Sequence, residues 1–132
     1  MDEIDNDLLR VWFENGIAYI EFKKDTILDL QAIKQTLEMT RKFLVKGNEY
    51  VLCDITNLKT VTTQARQYAA QQDYKYIYAR AIIVNSYFTK FLFTSFVKFS
   101  KPALPFAFFT SKEKAVEWLN KLKEQNTSSQ SI

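Results

Sequence analysis

The residues of this 132-residue chain that are able to do chemistry are few in kind. There is no histidine and a single cysteine, Cys53. That removes Ser-His-Asp and Cys-His catalysis and His-ligated zinc. The two glycines, Gly16 and Gly47, cannot write a phosphate-cradling loop or a dinucleotide fingerprint. No catalytic residue, metal ligand or cofactor site can be assigned, and the chain reads as a non-enzyme. Its candidates are polar groups suited to holding an anion or a partner: Asp54, Thr56, Thr62, Thr63, Arg66, Asn85 and Ser86, joined by Thr110 and Ser111. Arg66 is the odd one. A cation in the first turn of a helix opposes the helix dipole by roughly 0.3–1 kcal/mol when exposed. Its compensation is either a salt bridge to Asp54, which would fix the loop after the third strand, or a phosphate or carboxylate brought by a partner. The hydroxyls of Thr62, Thr63, Thr110 and Ser111 are most simply helix caps. Tyr68 lies two residues from Arg66 and points away from it on a helix.

The elements that must position these groups follow from the apolar pattern. Asn15-Gly16 between two alternating runs predicts a two-residue hairpin turn. Such a turn fixes the register, with Glu14 facing Ile17, Phe13 facing Ala18, Trp12 facing Tyr19, Val11 facing Ile20 and Arg10 facing Glu21. Leu9, Val11, Phe13, Ala18, Ile20 and Phe22 then form the core face. The opposite face, with Trp12, Ile17 and Tyr19, is amphipathic and is either partly solvated or covered. Thr26 with Asp29 resembles a capping box for a helix carrying Leu30, Ile33, Leu37, Thr40 and Leu44 at helical spacing. Gly47-Asn48 stops it. Tyr50–Ile55 is an apolar strand with Asp54 near its end.

A second helix spans Thr63–Tyr74 with Thr62 or Thr63 as its cap, followed by a strand over Tyr78–Val84. An aromatic helix covers 87–99, opened by Asn85-Ser86. Phe106–Phe109 is a short strand, and Thr110 with Glu113 caps a last helix that buries Ala115, Trp118, Leu119 and Leu122. The order, a hairpin and then alternating helices and strands, predicts an α/β fold with mostly parallel later strands and right-handed crossovers. In open α/β sheets ligands gather outside the carboxyl ends of the strands, which is where the polar candidates fall. Helix N-termini at Thr63 and Thr110 would point N–H groups there. Residues 1–123 read as one domain and 124–132 as a disordered polar tail.

The aromatic helix sets the expectation of a partner. Phe88, Leu92, Phe96 and Phe99 form one stripe, while Tyr87, Phe91, Phe93 and Val97 lie off it. Lys90 and Lys98 are its only charges. A helix apolar on nearly all sides implies a homodimer or protein interface, burial under neighbouring elements, or a lipid-like ligand.

The net charge of +3 is too small to imply nucleic acid, although residues 1–60 carry a net −3 and residues 61–132 a net +6. The acidic start lacks a signal-peptide pattern, and no apolar run approaches the ~20 residues that span a bilayer, so a cytoplasmic location is expected.

Three stretches carry a resemblance. They are Val51-Leu52-Cys53-Asp54-Ile55 through Thr63-Gln64-Ala65-Arg66; Ala81-Ile82-Ile83-Val84-Asn85-Ser86; and Pro105-Phe106 through Phe109 with Ala115, Trp118 and Leu119. Over roughly Leu8 to Leu122 the chain resembles the STAS fold of anti-sigma-factor antagonists, the SpoIIAA-like superfamily, and within it a family of short, uncharacterised bacterial STAS-like proteins. The resemblance implies a mixed sheet of about five strands with about four helices. It also implies a non-enzymatic regulatory or protein-interaction module, self-associating as a homodimer. The alternative is a small-ligand or lipid-binding domain using the aromatic helix, since STAS-like folds are similar to the Sec14-type lipid-binding fold. In the antagonists the loop after the third strand reads Asp-Leu-Ser and then Asp-Ser-Ser-Gly, whose second Ser is phosphorylated. Asp54-Ile55-Thr56 matches the first part, but Thr62-Thr63-Gln64-Ala65 replaces the second, with Gln64 at the phosphorylated position. The phospho-switch therefore does not carry over, and Thr63 would substitute only with a slip of register.

Overall fold

A computed structural model describes residues 3–44, 49–72, 77–86 and 105–130. The hairpin forms as its turn dictates. Strands β2 (Leu9–Glu14) and β3 (Ile17–Phe22) pair antiparallel with Trp12 opposite Tyr19 and Glu14 opposite Ile17. Asn15 and Gly16 take φ of 52° and 77°, the left-handed pair that a type I′ turn requires. A short strand, β1 (Glu3–Asp5), adds antiparallel to the outer edge of β2.

The parallel part of the sheet follows. After β3 come β5 (Glu49–Asp54), β7 (Ile77–Ile83) and β8 (Phe106–Phe109), each parallel to the last, in the order β1-β2-β3-β5-β7-β8. Helix α1 (Leu30–Phe43) joins β3 to β5, and α2 (Thr63–Gln71) lies between β5 and β7. Both crossovers step the same way along the sheet, so with one handedness both helices land on one face. The packing agrees. Ile33, Leu37 and Ala65 share a buried cluster with Leu9, Val11, Ala18, Ile20, Phe22 and Val51. Helix α3 (Lys112–Gln130) returns across the other face, where Ala115 and Leu119 pack on Ile17, Tyr19, Tyr50, Leu52, Ala79 and Ala81. Each fully buried leucine, such as Leu52 or Leu119, contributes about 1.5–3 kcal/mol by leaving water. Thr36 and Thr40 stay on the core face of α1 by donating back to Ala32 and Leu37 carbonyls, at 2.8 and 3.3 Å.

Several expectations change. Thr26 does not open α1. Thr26–Leu28 is strand β4, paired parallel with β6 (Leu58–Val61) in a separate two-stranded sheet. Asp29 caps α1 itself, accepting from Ala32 N at 2.9 Å, so the helix begins three residues later than a Thr26 cap would place it. Phe13 sits on the predicted core face but is 41% exposed near the end of β2, where it stacks on Phe43 at 5.0 Å. The opposite hairpin face is covered within the chain. Helix α3 buries Ile17 and Tyr19, while Trp12 stays half-buried. Ser111 rather than Thr110 caps α3, its Oγ accepting from Lys114 N at 3.4 Å. The last helix runs to Gln130, past Glu124, where the composition predicts the start of a polar tail. Three helices lie among the described residues. The expected aromatic helix with Tyr87, Phe91, Phe93 and Val97 falls outside them, as does the Gly47-Asn48 stop.

Candidate functional site

The carboxyl ends of β3, β5 and β7 are tied together by polar side chains. Past Asp54 the backbone leaves the sheet through Ile55, whose N–H still donates to Ile83 O at 3.1 Å. Asp54 Oδ1 then accepts from Thr56 N at 2.9 Å and from Thr56 Oγ1 at 2.6 Å, an Asx turn that fixes the loop's first bend. Leu58 N donates to Ile55 O at 3.1 Å and closes the turn. Asn57 reaches the neighbouring strand, its Nδ2 donating to Phe22 O at 3.3 Å and its carbonyl accepting from Asp25 N at 2.9 Å. Asp25 has φ of 62°, a conformation that Asp tolerates better than most residues. From the other side Asn85 Nδ2 donates to Thr56 O at 3.1 Å. The 55–57 loop is thus held from β3 and from β7, while Asn57, Asn85 and Ser86 remain exposed.

Thr62, Thr63 and Arg66 form a second group. Strand β6 intervenes, and its four residues span about 13 Å at ~3.3 Å per residue. Thr62 N donates to Leu28 O at 3.1 Å, which pins the start of α2 to β4. Thr62 Oγ1 accepts from Ala65 N at 3.1 Å, so Thr62 is the cap. Arg66 folds back on its own helix start, donating from Nη1 to Val61 O and from Nη2 to Thr63 Oγ1, both at 3.2 Å. The expected Asp54–Arg66 salt bridge is absent, for a geometric reason. Side chains alternate along β5, with Val51 and Cys53 toward α1 and α2, and Tyr50 and Leu52 toward α3. Asp54 shares the parity of Leu52 and leaves the sheet on the face away from α2. Among the described residues, no hydrogen bond or ion pair joins the Asp54–Thr56–Asn85 group to the Thr62–Thr63–Arg66 group.

The strand order supplies no reversal either. The parallel strands advance in one direction, so the described sheet lacks the switch point at which doubly wound folds open a ligand crevice. Cys53 is no activated nucleophile. Burial pushes its thiol up to about 12, with the charge of Arg80 pulling it down and that of Asp54 adding to the rise. Among the described residues no cluster of three or more Cys, Asp or Glu side chains could hold a metal ion, and no helix is long and apolar enough to cross a membrane. Asn57 is the polar anchor that sequence reasoning missed. Its signal was the Asp54-x-Thr56-Asn57 run at a strand end, where Asx side chains bond the backbone in preference to a ligand.

A family model described as a domain of unknown function, DUF7793, matches residues 11–123. No curated protein matches the chain. Among solved structures, a crystal structure of an uncharacterised protein of the DUF3478 family with a SpoIIAA-like fold, from Shewanella loihica PV-4, is similar. Its TM-score is 0.62 at 21% identity, over 84% of this chain and 91% of that one. The fold is therefore SpoIIAA-like, as the sequence resemblance implied.

Proposed function

We propose, from the premise that this chain belongs to the DUF7793 family, that it is a non-enzymatic, cytoplasmic protein-interaction module of regulatory STAS-like type that self-associates. The observation that carries this reading is the fate of the polar candidates. Asp54, Thr56 and Asn85 spend their hydrogen bonds within one loop, and Asn57 ties that loop to the Phe22 carbonyl of β3. They build a stiff surface rather than converging on a reacting atom. A loop that is ordered before binding loses little entropy when a partner arrives, which favours recognition. Thr63 and Gln64 add exposed polar groups at the start of α2.

Self-association rests on the apolar sequence of 87–99, residues outside those described. The test is the pair Phe91→Ser and Phe93→Ser, read by light scattering after size exclusion alongside a urea melt. The expected result is a lower molar mass with stability retained. An unchanged mass at unchanged stability would remove these residues from the interface.

A further inference from the structure

Strand β1 is short and mostly exposed, and the turn that joins it to β2 is closed by Asn6, whose Oδ1 accepts from Leu8 N and Leu9 N at 2.8 and 2.9 Å. The strand has three residues, of which only Ile4 is partly buried. Its flanking acids make exposed ion pairs, Glu3 with Arg10 and Asp5 with Lys23, the second at 2.5 Å. Beneath it lies the outer edge of β2, whose Arg10, Val11 and Trp12 face Asp5, Ile4 and Glu3. An uncovered strand edge is a template for another strand, and short, charged strands are a common way to blunt one.

The side chains of β2 say what would take the place of β1. A second copy of the same strand, antiparallel about a two-fold axis through Trp12, keeps both faces of each sheet in phase. Arg10 then stands opposite Glu14 of the second copy, and Glu14 opposite its Arg10. Trp12 stands opposite Trp12, and Val11 opposite Phe13. This register uses features that the single chain leaves over. Phe13 is 41% exposed, and Glu14 is exposed and forms no ion pair among the described residues. Opposite charges and aromatic pairs across strands are the contacts that stabilise a sheet.

We propose that β1 is an ionic latch over the edge of β2, and that its release lets β2 pair with β2 of a second copy in the Arg10–Glu14 register. Arg10 is the exchange point, bound to Glu3 of its own chain when the latch is closed and to Glu14 of the other copy when it is open. Strands β1 and β2 include none of residues 87–99, so the unaltered chain's oligomeric state and the latch are tested by different comparisons.

The test uses three full-length chains: the unaltered protein, Glu3→Lys with Asp5→Lys, and that pair with Glu14→Lys added. Light scattering after size exclusion is run over a dilution series. Hydrogen exchange follows the amides of residues 3–5 and of β5, and circular dichroism checks the fold. In the double variant the 3–5 amides lose protection while those of β5 keep it. The molar mass then rises to at least twice that of the unaltered chain at the same concentration, a shift of about tenfold or more in association. Adding Glu14→Lys returns the mass to that of the unaltered chain. Released amides with an unchanged mass would overturn the pairing. Retained protection at 3–5 would overturn the latch. A doubled mass that survives Glu14→Lys would overturn the register.

Discussion

The side-chain amide of Asn85 donates to the backbone carbonyl of Thr56 at 3.1 Å, across the ends of two adjacent parallel strands. Asp54 holds the same loop from its own strand through two further bonds to Thr56. Replacing Asn85 by Ala should cost about 0.5–1.5 kcal/mol, and replacing Asp54 by Ala about 1–3 kcal/mol, because the second change leaves a half-buried N–H and hydroxyl unpaired. Urea midpoints should fall in that order with the slope unchanged. Equal midpoints for Asp54→Ala and the unaltered chain would deny the loop its anchor.

The cap of α2 is Thr62, not Thr63. Thr62→Ala should destabilise by about 1 kcal/mol, while Thr62→Ser should stay near the starting value. Thr63→Ala removes only the acceptor for Arg66 Nη2 and should cost less. Thermal melts of the three variants decide the assignment, and the reverse ranking would move the cap.

Much of this was legible in the sequence, for reasons that differ by element. The hairpin register was readable because Asn15-Gly16 permits only one short turn and the strand period is two. Strand β4 was not, because Thr26 three residues before Asp29 imitates a capping box. What tips the balance is tertiary, as β6 offers Thr26–Leu28 a pairing partner that local sequence cannot announce. The missing Asp54–Arg66 bridge was legible in principle. Counting faces outward from Leu52 already places Asp54 on the side opposite α2. Phe13 misled because parity gives the face of a residue but not how fully it is covered: Phe43 of α1 stacks on it and still leaves it 41% exposed.

Cys53 should resist thiol reagents at neutral pH. With burial lifting its pKa to about 12, almost no thiolate is present in the folded chain. Labelling by a disulfide reagent should be slow in buffer and complete in denaturant, tracking unfolding. Rapid stoichiometric labelling of the native chain would contradict the raised pKa of a partly buried thiol.

The hold on β1 should weaken in acid. The hydrogen bond that Asp5 accepts from Lys23, followed by the charges of Lys23 and Arg10, keeps its carboxyl below the ordinary value of 3.8, against the opposing effect of burial. A carboxylate with a depressed pKa stabilises the folded arrangement fully above its unfolded value. That contribution is lost as pH falls through the folded one. Protection of the 3–5 amides, corrected for intrinsic exchange, should therefore be constant above pH 3.8 and decline below it. Asp5→Asn should flatten the profile, and a profile that rises on acidification would contradict the assignment.

The central claim, a self-associating interaction module, is tested most directly by the molar mass of the unaltered chain across a dilution series. The account predicts a species of twice 15.5 kDa that dissociates toward 15.5 kDa on dilution. A mass fixed at 15.5 kDa across the whole series would contradict it.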